Sequence, residues 1–97
     1  MKAMISQPMK GKTVETIRVE RTEAVKYLEG KGYEVIDTII PDFIPQGNIP
    51  LKYLAKSIEF ITDVDFVYFM PGWENARGCR IEHQCCVDYG VSFEVAE

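Results

Sequence analysis

The sequence predicts an α/β sandwich: a four-stranded, mostly parallel sheet in the order 2-1-3-4, with three helices. Three observations lead there. Short apolar runs alternate with stretches of helical period, so each strand is separated from the next by a crossover. The run Phe66-Val67-Tyr68-Phe69-Met70 is apolar without interruption, as expected of a strand covered on both faces. Glycine and proline punctuate the boundaries. Right-handed crossovers then make the strands parallel and place helices on both faces, a Rossmann-like (flavodoxin-like) three-layer arrangement.

Taken in order, residues 2–6 read as a buried strand, followed by the turn-forming loop Gln7-Pro8-Met9-Lys10-Gly11-Lys12. Thr13 is an expected N-cap, with Glu15 in the first turn near the positive end of the helix dipole. Val14, Ile17, Ala24, Val25 and Leu28 recur at helical spacing until Gly30-Lys31-Gly32 stops the helix. Residues 33–37 form a second strand. Residues 38–50 hold three prolines and a glycine among large apolar side chains, which excludes a regular helix and suggests a binding loop or a packed Ω-loop. Helical spacing returns at Leu51, Leu54, Ala55, Ile58 and Ile61. Residues 65–70 are the third strand. Asn75 is the expected N-cap of a last helix over residues 76–88, Gly90 ends it, and residues 91–95 form the fourth strand.

Composition narrows the function classes. The 97 residues fit one domain, residues 1–97, and 46% hydrophobic with 27% charged residues is globular composition. The net charge is −4 and no basic run exists, which argues against a duplex nucleic-acid binder but not against a mononucleotide. The apolar runs are too short for a secretory signal or a membrane span. Cys79, Cys85 and Cys86 are odd in number and crowded together, and adjacent helical cysteines point apart, so reduced thiols and a cytoplasmic location are expected. A core this small favours homo-oligomers.

Parallel sheets bind ligands beyond the carboxyl ends of their strands, where the strand order switches. The loops after strands one and three meet there. On the last helix Gly78, Glu82, Cys85, Cys86 and Tyr89 share one sector, and a carboxylate among them is costly unless it has partners. Glu82 is therefore either a cleft nucleophile or base, or a structural partner of Arg77 or Arg80, or an acid at the edge of the helix. Asn75, Arg77 and Gly78 start that helix and suit an anion, or are a plain cap and a solvated arginine. Ser6, Gln7, Lys10 and Gly11 make the other loop: Gly11 would let backbone approach a ligand and Lys10 would reach a phosphate, or the loop is an ordinary turn. Trp73 either stacks on a base or anchors packing. Cys79, His83 and Cys86 share a face, but the two cysteines lie about 10 Å apart along the axis, too far for one zinc. The reading assigns no metal and no cofactor.

The segments Pro71-Gly72-Trp73-Glu74-Asn75-Ala76-Arg77-Gly78 and Ile81-Glu82-His83, with the opening Met4-Ile5-Ser6-Gln7-Pro8-Met9-Lys10-Gly11, resemble the small bacterial and phage branch of the nucleoside 2-deoxyribosyltransferase-like superfamily. The resemblance spans nearly the whole chain. In better-known members, deoxyribosyltransferases and deoxynucleoside monophosphate N-glycosidases, a Glu after the third or fourth strand attacks C1′ of the sugar. Glu82 matches that position. The resemblance thus implies retaining glycosyl transfer on a nucleoside or nucleotide, in a homo-oligomer. One departure stands out: many relatives carry an Asp where this chain has Ser57, and a hydroxyl cannot replace a carboxylate base. Two rival readings stay open. One is a non-catalytic nucleotide-binding or sequestering module. The other is a protein-interaction domain using Trp73 and the apolar loop between Ile39 and Ile49.

Overall fold

The computed structural model describes residues 1–38 and 46–96. The chain runs β1 (Lys2–Ser6), α1 (Val14–Gly30), β2 (Glu34–Val35), α2 (Ile49–Ile61), β3 (Phe66–Phe69), a 3₁₀ turn (Trp73–Asn75), α3 (Arg77–Tyr89) and β4 (Ser92–Val95). The sheet order is β2-β1-β3-β4, and every pairing is parallel. The expected fold is therefore the observed one.

Alternation along the strands divides the core into two layers. Ala3 and Ile5 of β1 join Ala24 and Leu28 of α1, with Met70, on one face. Met4 of β1 and Val67 and Phe69 of β3 join Ile61 of α2 and Cys86 of α3 on the other. The switch point lies between β1 and β3, and Ser6 ends β1 on the α2/α3 face. A Cβ added to Gly72, in the turn after β3, would sit 3.8 Å from Pro8 Cγ, so the two edge loops touch as expected.

Several boundaries move for local reasons. Thr13 caps α1, its Oγ1 accepting from the Thr16 amide at 3.1 Å. Asn48 caps α2 in the same way through Leu51 N–H at 3.2 Å, so α2 starts two residues earlier than its apolar spacing suggests, with Pro50 harmlessly in the first turn. β2 shrinks to two residues, although Ile36 N–H still donates to Ala3 C=O at 2.9 Å. Of the loop expected over residues 38–50, residues 39–45 lie outside the described residues.

The helix faces are narrower than the spacing implied. Val14 is 67% exposed, and Tyr89 is 85% exposed rather than part of the sector with Glu82. Cys79, Glu82 and Cys86 are what α3 buries. The reason is length: thirteen helical residues span about 20 Å, whereas four strand residues span about 13 Å, so helix ends overhang the sheet.

Candidate functional site

Three elements bring polar atoms together under the carboxyl edge of the sheet. β1 ends at Ser6, 2% exposed; α3 supplies Glu82, 6% exposed; α2 supplies Ser57. Ser6 Oγ donates to Glu82 Oε2 at 2.7 Å. Burial pushes the Glu82 carboxyl above its ordinary value, and hydrogen bonds from the hydroxyls of Ser6 and Ser57 pull it back part of the way. Among the described residues no ion pair reaches Glu82. Its expected structural partners are engaged elsewhere or exposed: Arg80 Nη1 donates to Glu74 C=O at 3.0 Å, and Arg77 lies at the surface. A buried carboxylate whose partners among the described residues are hydroxyls is an unusual arrangement, because most buried charges are paired.

Cys79 stands one turn before Glu82 on the same face of α3. Its thiol is raised by burial and by the charge of Glu82, and lowered by contact with the Ser6 hydroxyl and by Lys12. Ser6 has one proton, and it goes to Glu82. The Lys12 ammonium itself pairs with Glu20 of α1 at 3.0 Å. Deeper on α3 the Cys86 thiol is pushed up to about 11 by burial, and all three cysteines are free.

The other expected site residues separate into groups. Gln7 is buried but turns to the opposite face: its Nε2 donates to Ile17 C=O at 2.9 Å, and its Oε1 accepts from Arg21 at 3.5 Å. Arg21 also donates to Thr38 Oγ1 at 3.1 Å. Lys10 and Gly11 are exposed on the loop after β1, where Gly11 has φ +79° and nothing crowds its missing side chain. A turn closed by Lys12 N–H to Met9 C=O at 3.2 Å accounts for that glycine.

Asn75 is not the N-cap of the last helix. Gly72 takes φ +87° and starts the 3₁₀ turn, whose Gly72 C=O accepts from Asn75 N–H at 3.0 Å. The cap becomes Ala76, with no side-chain capping bond, so α3 starts at Arg77. Asn75 and Arg77 are exposed and Gly78 is half-buried, one turn before Glu82. Trp73 stacks on His83 at 4.3 Å between ring centroids and lies 5.7 Å from Phe69, against the α2/α3 core.

Sequence reasoning thus placed Glu82 and Ser6 in the site and named Ser57 only as a departure. It did not assign Cys79 to the site. Cys79 was legible as a three-residue spacing from Glu82. Two surface depressions lie elsewhere. One, of about 300 Å³, is lined by residues of α1 with Tyr68, Met70 and Pro71. The other, of about 560 Å³, lies between the end of α3 and the start of β4. Neither is lined by Glu82.

Fold and site together define a Rossmann-like α/β domain with a hydroxyl-held carboxylate at its switch point. More particularly, the chain belongs to the family described as a domain of unknown function, DUF4406, which matches residues 1–94. No curated protein and no solved structure matches it. Among the described residues, no helix is long and apolar enough to cross a membrane.

Proposed function

We propose that this domain binds a nucleoside or nucleotide at the carboxyl edge of its sheet and that Glu82 acts there as the nucleophile of N-glycosidic bond cleavage or transfer, in a cytoplasmic setting. The observation that supports this reading is the Glu82 carboxylate itself: buried at the switch point, with no ion pair among the described residues, and oriented by Ser6 at 2.7 Å. Burial makes the ionised group more basic, and hydroxyl donors hold its geometry without neutralising it.

In the proposed reaction a Glu82 oxygen forms a bond to C1′ as the C1′–N bond breaks. The bonding pair leaves with the base, which takes a proton from water. Water or a second base then attacks C1′ from the opposite side, loses its proton to solvent, and releases the Glu82 carboxylate. Configuration at C1′ is retained through two inversions.

A second reading, a non-catalytic nucleotide-binding module, draws support from two facts. The group beside Glu82 on α2 is the hydroxyl of Ser57, not a second carboxylate. Glu82 is also only 6% exposed, so neighbouring groups must give way before a sugar reaches it.

A thermal-shift panel of nucleosides and nucleotides, followed by chromatography for released base, separates the readings. Base release by wild type that falls by orders of magnitude in Glu82→Gln, with ligand affinity nearly unchanged, supports the nucleophile. Binding without release supports the module. Release at the wild-type rate in a folded Glu82→Gln protein ends the covalent mechanism.

A further inference from the structure

We propose that the depression between α1 and the carboxyl end of β3 is a binding site for an organic guanidinium group. The first observation is how the depression forms. Ala24 and Leu28 seat α1 against Ala3 and Ile5 of β1. Tyr27 and Lys31, on the same face of α1, reach farther across the sheet to Glu94 of β4. The Tyr27 hydroxyl donates to Glu94 Oε2, and the Lys31 ammonium to Oε1 at 3.1 Å. Beside that bridge, toward Pro71, lies a hollow of about 300 Å³. The hollow is on the α1 face, across the sheet from Glu82. Its volume stands at the lower end for small-molecule sites, which suits a guanidinium on a short aliphatic stem.

The second observation is the chemistry of the walls. Tyr27 and Tyr68 contribute aromatic rings, 5.3 Å apart between centroids and inclined by 42°. Met70 and Ala24 add apolar surface for a stem, and Glu20 and Glu23 add carboxylates from one face of α1. Aromatic rings beside carboxylates attract a cation and disfavour a phosphate. Two of the chain's own cations show the same preference. Lys31 Nζ lies 4.7 Å from the centre of the Tyr27 ring while paired with Glu94, and Lys12 pairs with Glu20 at 3.0 Å. Yet neither lysine lines the hollow, and their side chains stay 47% and 29% exposed. A compact ammonium holds its water and stops at the rim. A guanidinium is planar and more weakly hydrated, so it can lie against tyrosine rings while its edge donates to a carboxylate. Glu23 is the acceptor, because Glu20 already holds Lys12. The same chemistry is offered by a free small molecule and by an arginine side chain of another protein.

The test is an amide NMR titration of the full chain with butylguanidinium, set against butylammonium on the same stem. Butylguanidinium is expected to shift the amides of Tyr27, Tyr68 and Met70 with a Kd of about millimolar, as befits so small a ligand. Butylammonium should bind at least about fivefold more weakly. Glu23 is exposed, so Glu23→Lys should leave the thermal melt unchanged while weakening binding by about tenfold or more. Tyr68→Leu should weaken it as well; Tyr68 is half-buried, and Glu23→Lys decides the matter if that variant fails to fold. An end-blocked arginine peptide separates the two sources: affinity equal to butylguanidinium supports a protein side chain as the occupant, and exclusion of the peptide supports a free compound. Absence of shifts at these amides up to tens of millimolar overturns the proposal. So does equal affinity for butylammonium, or binding indifferent to Glu23→Lys. None of these readouts depends on nucleotide binding or base release.

Discussion

Ser6 and Gln7 are consecutive, both buried, and turn to opposite faces of the same sheet edge. On the α1 face, Gln7 meets a backbone carbonyl and an arginine, and Arg21 in turn meets Thr38 and stands 3.9 Å from Asp37. The Arg21 charge there has a carboxylate beside it. On the α2/α3 face, Ser6 meets a carboxylate whose partners among the described residues are hydroxyls. The first arrangement ties α1 to the loop after β1 and to the end of β2. The second keeps a charge-bearing group in a place where neutral residues would be more stable. Proteins retain such costs mainly at sites that do chemistry or bind ligands, and that difference is what directs attention to Glu82.

The comparison rests on two intact core layers, and the largest effects should come from opening either one. Phe69 is fully buried and packs edge-on against His83 and Phe93 as well as Trp73. Phe69→Ala should cost about 3–5 kcal/mol in denaturant unfolding, and Leu28→Ala on the α1 face about 2–5 kcal/mol. A much smaller loss at Phe69 would mean that the α2/α3 layer is loosely packed, and the geometry around Glu82 would lose its foundation.

Next in size is a polar deletion on the α1 face. Arg21→Met keeps most of the aliphatic stem but leaves Gln7 Oε1 and Thr38 without their donor. The expected loss is about 1–3 kcal/mol, the usual consequence of leaving buried polar groups unpaired. An unchanged midpoint would show that this network is incidental, and the contrast between the two faces would collapse.

The fold was legible in the sequence because it depends on period and punctuation. The apolar run ending in Met70, the Thr13 cap and the Gly90 stop each act locally. Glu82 was legible for a related reason: a carboxylate in a sector of small residues conflicts with its surroundings at the level of spacing alone. Loop side chains were harder. Ser6 follows from strand alternation, which sends it to the face of Met4, whereas Gln7 lies beyond the last paired residue and its direction depends on Arg21, fourteen residues on. Asn75 has the right chemistry for a cap, but Gly72 at positive φ begins a 3₁₀ turn that consumes it. Trp73 offered stacking on a ligand or on the protein, and its stack on His83 is a tertiary contact that spacing alone could not show.

The smallest stability effect should also be the one of opposite sign. Glu82→Gln keeps the size of the side chain and allows hydrogen bonds to Ser6 and Ser57, but removes the buried charge. At neutral pH it should stabilise the fold by on the order of 1 kcal/mol, where Arg21→Met destabilises it. The pH dependence gives the sharper check. Burial raises the Glu82 carboxyl in the folded chain above the ordinary 4.5, so between those two values the folded state holds a proton that the unfolded state has released. Stability then falls as pH rises through that window, by the difference in bound protons. Below pH 4.5 the group is protonated in both states and this penalty is absent; above the raised value the penalty is complete. In Glu82→Gln that segment of decline should vanish, so the stability curves of wild type and variant should converge as pH is lowered toward 4.5 and separate above it. Unfolding midpoints measured at closely spaced pH values would show this directly. Curves that stay parallel across the window would mean that Glu82 titrates as an ordinary carboxylate, and the distinction between the two faces of the sheet edge would then have no electrostatic basis.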